Sequence, residues 1–124
     1  MAATLLIVDD DANIVDGLKD ILEEAGYRVR SAASGEQALA RFEETVPAAV
    51  ILDYHLPDMT GLALAERLRA RSKDVALLLM TGMSTADLAG APGRDAVDNI
   101  LVKPVEPPSL LQFLHQAVTR LPPP

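Results

Sequence analysis

The stretch AAVILDYHLPDMTG, residues 48–61, decides how this chain folds. Its first five residues are apolar, the length of one buried strand from Ala48 to Leu52. Asp53 stops the run, and Pro57 and Gly61 turn the chain into a segment with helical spacing. Three other apolar runs end in a similar way. LLIV stops at Asp9-Asp10-Asp11, ALLLM at Thr81, and ILV at Lys103-Pro104. Four such runs side by side in a parallel sheet deliver their terminal side chains to one rim, where open α/β sheets bind ligands.

Working outward, the first strand is expected over Thr4–Val8. Apolar residues then recur at Ile14, Val15, Leu18, Ile21, Leu22 and Ala25, a period near 3.6 that ends before Gly26. Tyr27–Ser31 reads as a second strand. Ser34 with Gln37 resembles a capping box, opening a helix through Ala38, Leu39 and Phe42. A third helix covers Leu62–Ala70, with Leu64 and Leu68 inward, and Val75–Met80 is apolar throughout, as a central strand covered on both faces should be. Asn99–Val102 is the fifth strand. Pro107 and Pro108 introduce a last helix with an apolar line at Leu110, Leu111, Leu114, Ala117, Val118 and Leu121. Between Thr81 and Asn99, Gly90, Pro92 and Gly93 limit the fourth helix to one or two turns starting near Ser84 or Thr85. The expected fold is α/β: five parallel strands with right-handed crossovers and helices on both faces, a three-layer sandwich.

Composition is consistent with this reading. The chain has 124 residues, 49% of them apolar, enough for one core without staples. With no cysteine, disulfides and thiolate metal sites are excluded. A formal charge of −7 without a basic cluster argues against direct nucleic-acid binding. The N-terminal apolar run is too short for a secretory signal or a membrane span, so a soluble, cytoplasmic domain is expected. Residues 1–121 are read as that domain, and Pro122–Pro124 as a tail or the start of a linker.

The rim residues point to phosphoryl chemistry. Asp9 and Asp10 come together with Asp53, and clustered carboxylates repel, so keeping them ionised calls for a hard cation such as Mg²⁺. One of Asp10 and Asp11 can instead cap the first helix. Asp53 is placed to attack phosphorus as a nucleophile. Thr81 offers a hydroxyl and Lys103 an ammonium to the phosphoryl oxygens; either alone is an ordinary turn residue, and the two together at neighbouring strand ends form a site. Lys103-Pro104 is a candidate cis peptide bond. His55 and His115 are too far apart in sequence to form a zinc set, and no GxGxxG or GxxxxGK run supports nucleotide binding.

These landmarks, LLIVDDD, ILDYHLPDMTG, LLLMTG and LVKP in this order, resemble the receiver domain of two-component response regulators over essentially the whole chain. The resemblance implies a flavodoxin-like (βα)5 domain with strand order 2-1-3-4-5. It implies a metal held among Asp10, Asp53 and the backbone carbonyl of His55, with Asp9 acting mostly through water. The implied reaction is Mg²⁺-dependent phosphoryl transfer to Asp53 from a histidine kinase or histidine phosphotransfer protein, followed by slow hydrolysis. Such a domain catalyses its own phosphorylation and dephosphorylation and does not turn over an external substrate. In the family, Thr81 is drawn toward the phosphoaspartate, and an aromatic residue three positions before the lysine turns inward, altering the fourth helix, fifth strand and fifth helix. Here Ile100 holds that aromatic position and the fourth helix is interrupted. His55 and Met83 flank the phosphoryl position, so an atypical hydrolysis rate is expected. The alternative is a phosphorylation-independent interaction module with a degenerate output face. A phosphohydrolase would need a substrate-enclosing cap, for which the length leaves little room.

Overall fold

Apolar strands that must be covered on both faces impose a layered arrangement, and the computed structural model, which describes residues 3–119, has it. Strands β1 (Thr4–Val8), β2 (Arg28–Ala32), β3 (Ala49–Asp53), β4 (Ala76–Thr81) and β5 (Asn99–Val102) form one parallel sheet in the order β2-β1-β3-β4-β5. Helices α1 (Ala12–Glu24), α2 (Gly35–Glu44), α3 (Gly61–Arg71), α4 (Thr85–Leu88) and α5 (Pro107–Thr119) alternate with them, giving the flavodoxin-like topology.

Side chains alternate across each strand, so the sheet separates two cores. Leu6, Val8, Val50, Leu52, Leu77, Leu79 and Ile100 pack with Phe42, Leu62, Leu68 and Leu88. On the opposite face Leu5, Ile7, Ile51, Leu78 and Met80 pack with Leu22, Leu110, Leu114 and Ala117.

Element boundaries shift by about one residue for identifiable reasons. The second strand begins at Arg28, not Tyr27, because the Tyr27 N–H closes the end of α1 on the Leu22 carbonyl at 3.1 Å, after Gly26 at φ 103°. β3 and β4 continue through Asp53 and Thr81, which pair with Met80 and Val102, so these polar residues are the last of their strands. The capping box of α2 is modified. Ser34 accepts from the Gln37 N–H at 3.1 Å, but the Gln37 side chain reaches back to the Ala33 N–H at 2.9 Å.

The fourth helix is short, as its glycines require. Ser84 and Asp87 cap a four-residue helix reciprocally, Gly90 takes φ 79°, and after Gly93 at φ 87° a 3-10 turn spans Arg94–Ala96. Leu121 and the proline tail lie outside the described residues.

Candidate functional site

Parallel pairing carries the ends of β1, β3, β4 and β5 to the same rim, and the acids meet there. Carboxylate oxygens of Asp9, Asp10 and Asp53 lie within 4.8 Å of one another. Asp9 is 3% exposed and Asp53 7%, while Asp10 is exposed. Asp11 takes the capping role: its Oδ1 accepts from the Asn13 N–H at 3.0 Å and from the Ile14 N–H at 3.4 Å. Asp9 and Asp10 are thereby left to the rim.

Asp9 carries the clearest sign that the rim suits a cation. Its Oδ1 accepts from the Asp11 N–H at 2.9 Å, whereas Oδ2 is buried with no hydrogen-bond partner among the described residues. Burial pushes its carboxyl above the usual carboxylate range, and the neighbouring Asp53 charge adds to this against the opposing Asp11 N–H. An orphaned buried oxygen beside two further carboxylates is what a hard divalent cation satisfies, so the donor set fits such an ion.

Lys103 Nζ donates to Asp53 Oδ1 at 2.8 Å, reaching the site from the end of β5. The Lys103–Pro104 bond is cis, and the Lys103 N–H donates to the Thr81 carbonyl at 2.7 Å. Thr81 is 1% exposed and its Oγ1 accepts from the Met83 N–H at 3.0 Å. Ile100 is buried in the core on the α2 and α3 side of the sheet. His55 is exposed, and its ring stands edge-on to Tyr54 with centroids 4.8 Å apart.

Two residues outside the expected set shape the loop after Asp53. A side chain at Gly61 would collide with the Asp53 carbonyl and with Leu79, so the chain returns close beneath Asp53 only with glycine there. The Gly61 N–H donates to the Tyr54 carbonyl at 2.6 Å. Asp58 spans to the start of α2, where its two oxygens accept from the Gly35 and Glu36 N–H groups at 2.8 and 2.9 Å. Those bonds, Gly35 first, hold its carboxyl below the usual range. Gly61 is visible in the sequence as a turn residue, but nothing local to Asp58 predicts a partner more than twenty residues away.

A parallel sheet of this order, ending in clustered carboxylates and a lysine paired to one of them, defines a doubly wound α/β domain with an acidic, cation-competent rim. The response regulator receiver domain family matches residues 5–115, and the chain belongs to that family. It is 34% identical over 100 residues to the transcriptional regulatory protein PrrA of Mycobacterium leprae, covering 81% of this chain and 43% of that protein, so it spans less than half the length of that relative. Among solved structures, a putative response regulator from Chloroflexus aurantiacus is 37% identical with a TM-score of 0.86, covering 97% of this chain and 100% of the other. The response regulator protein TrrA of Thermotoga maritima, solved in complex with Mg²⁺-BeF, is 32% identical with a TM-score of 0.85, covering 94% and 99%. The Asp9, Asp10 and Asp53 cluster is consistent with the phospho-accepting, metal-binding site of receiver domains, which modify their own aspartate and are not turnover enzymes. Among the described residues no helix is long and apolar enough to cross a membrane.

Proposed function

We propose that Asp53 accepts a phosphoryl group from the phosphohistidine of a histidine kinase or histidine phosphotransfer protein. The observation that carries this is the orphaned Asp9 Oδ2 within an acidic cluster whose third member, Asp53, is gripped by Lys103. An Asp53 oxygen attacks phosphorus in line, the P–N bond of the donor breaks, and the imidazole leaves with a proton. Water later attacks the same phosphorus, releasing inorganic phosphate and restoring the carboxylate.

Asp9, Asp10, Asp53 and the His55 backbone carbonyl would hold Mg²⁺, which when bound neutralises charge on the phosphoryl oxygens. Lys103 releases Asp53 Oδ1 and follows the added charge to a phosphoryl oxygen. Thr81 donates its hydroxyl to another, while Pro104 fixes the turn that aims Lys103. The exposed His55 side chain and the half-buried Met83 border the space that water must cross, and they set an atypical hydrolysis rate. Ile100, already packed inside, replaces the aromatic swing of the family with a static contact.

Residues 1–121 act as one cytoplasmic receiver unit, and residues 122–124 are a proline tail or the start of a linker. An effector domain in a longer chain is supported by the partial coverage of transcriptional regulators such as PrrA. No direct nucleic-acid contact is assigned to the receiver, given its −7 charge.

The test is intact mass after incubation with Mg²⁺ and acetyl phosphate. One phosphoryl group is expected on the wild type and none on Asp53→Ala. No gain over a range of Mg²⁺ and donor concentrations would refute the acceptor role and favour a phosphorylation-independent docking module.

A further inference from the structure

We propose that Asp58 is a positioning residue for the metal: by gripping the start of α2 it holds the loop that presents the His55 backbone carbonyl, and so sets the affinity for Mg²⁺. This rests on the ligand set proposed above for Mg²⁺.

The loop from Tyr54 to Gly61 is a small hairpin. The Gly61 N–H donates to the Tyr54 carbonyl at 2.6 Å and the Leu56 N–H to the Met59 carbonyl at 3.3 Å, with His55 and Thr60 paired antiparallel between them. Two bonds that flank a pair in this way make it a non-hydrogen-bonded one, whose own N–H and C=O groups point out of the ladder. The His55 carbonyl accepts no hydrogen bond among the described residues, so it is open to a cation.

The base of this hairpin is fixed on both sides. The Tyr54 N–H donates to the Met80 carbonyl at 3.0 Å, extending the sheet, and Thr60 Oγ1 accepts from the Ala63 N–H at 3.1 Å, capping α3. The tip is closed only by the long 3.3 Å rung, and Pro57 has no N–H to add another. Its firm hold comes from elsewhere in the chain. Asp58 Oδ1 accepts from the Gly35 N–H at 2.8 Å and Oδ2 from the Glu36 N–H at 2.9 Å. These are the first two N–H groups of α2, which have no partner inside the helix, and an ionised carboxylate is a strong acceptor for them. Met59 lies against the same spot, where a Cβ on Gly35 would collide with its side chain. A charged fork and an apolar contact on adjacent residues therefore set where the tip sits. Moving it pulls on Leu56 and, through the chain, on the His55 carbonyl. The helix has its own cap in Ser34, which accepts from the Gln37 N–H, so the grip of Asp58 does more for the loop than for α2.

Magnesium titration of the full chain followed by two-dimensional amide NMR reads the Kd of the folded protein apart from its stability. Asp58→Ala is expected to raise the Kd about tenfold, and Asp58→Asn, which keeps one acceptor oxygen, to raise it less. Loss of a negative charge by itself also weakens cation binding, but salt screens that effect. The ratio of mutant to wild-type Kd is therefore compared at about 0.05 and about 0.5 M NaCl, and is expected to hold. In the metal-free protein, exchange of the Leu56 N–H should speed up about tenfold in Asp58→Ala and that of the Gly61 N–H by less than about twofold. Leu39→Ala, which loosens α2 against the core without touching its first turn, should lower the urea midpoint and leave the Kd unchanged.

A Kd for Asp58→Ala within about twofold of wild type, a ratio that falls to one in salt, or an equal rise in Leu39→Ala overturns the proposal. A wild type whose amides do not respond to Mg²⁺ rejects the ligand set beneath it. Intact mass with acetyl phosphate, at Mg²⁺ saturating each protein, is expected to show one added phosphoryl group on wild type and on Asp58→Ala. Its absence from both rejects the acceptor role of Asp53, a failure distinct from that of Asp58.

Discussion

Replacing Asp9 by Asn should stabilise the domain in chelator while weakening its response to Mg²⁺. Asn keeps an oxygen for the Asp11 N–H and removes the charge from a side chain that is 3% exposed with one oxygen unpartnered. Two carboxylates 4.8 Å apart, the limit of this cluster, repel by about 3.5 kcal/mol at an effective dielectric constant of about 20, and by about 0.9 kcal/mol in water. Asp53 is buried and Asp10 exposed, so both regimes apply, and the Lys103 ammonium offsets part of the repulsion. A net gain of about 1–2 kcal/mol without metal follows. A cation that binds only the folded wild type adds about 2.7 kcal/mol at a hundred times its Kd. Urea unfolding followed by far-UV circular dichroism suits a chain with no tryptophan, measured with chelator and with saturating Mg²⁺. The mutant should be the more stable in chelator and the less responsive to Mg²⁺. A mutant that is less stable in chelator, or has an unchanged Mg²⁺ increment, refutes the charge-cluster argument.

Gly61→Ala should cost about 1–3 kcal/mol and slow phosphorylation, because the new methyl displaces the Asp53 carbonyl; full stability and an unchanged mass time course would contradict this. Asp58→Asn should destabilise at neutral pH by losing one of two charge-assisted bonds to the start of α2. The Asp58 carboxyl is depressed in the folded state, so its contribution is present above the ordinary value of 3.8 and is lost as pH falls through the lower folded-state value. The gap between mutant and wild type in a pH series of melts should therefore close in acid. Phe42→Ala, which empties a fully buried position of α2, should lower the unfolding free energy by about 3–5 kcal/mol in urea titrations.

Strands β1, β3 and β4 were legible because burial on both faces makes each an apolar run, and the rim residues because each ends a short apolar run. Backbone pairing is less visible. Asp53 and Thr81 belong to their strands by hydrogen bonding that no hydrophobic pattern records, and Tyr27 looks strand-like while its N–H serves a helix end. The short α4 could be read from Gly90, Pro92 and Gly93, since backbone preference acts locally. What replaced the rest of that helix could not. Arg69 looks like an ordinary basic residue near a helix C-terminus, and only the tertiary arrangement turns it toward four acceptors in the stretches 73–75 and 96–98. The tie from Asp58 to α2 was hidden for the same reason, and the need for Gly61 lies in the space beneath Asp53 more than in turn chemistry.

The lysine held 2.8 Å from Asp53 also fixes the electrical balance of the rim. With all three acids ionised, one ammonium leaves a formal double negative charge, matched by a divalent ion and not by a monovalent one. Phosphorylation exchanges a single negative charge on Asp53 for nearly two on the phosphoryl oxygens. The loaded, phosphorylated rim then carries about one uncompensated charge. Dipoles then help to balance it, and the Thr81 hydroxyl, buried at the end of β4, is one that can turn.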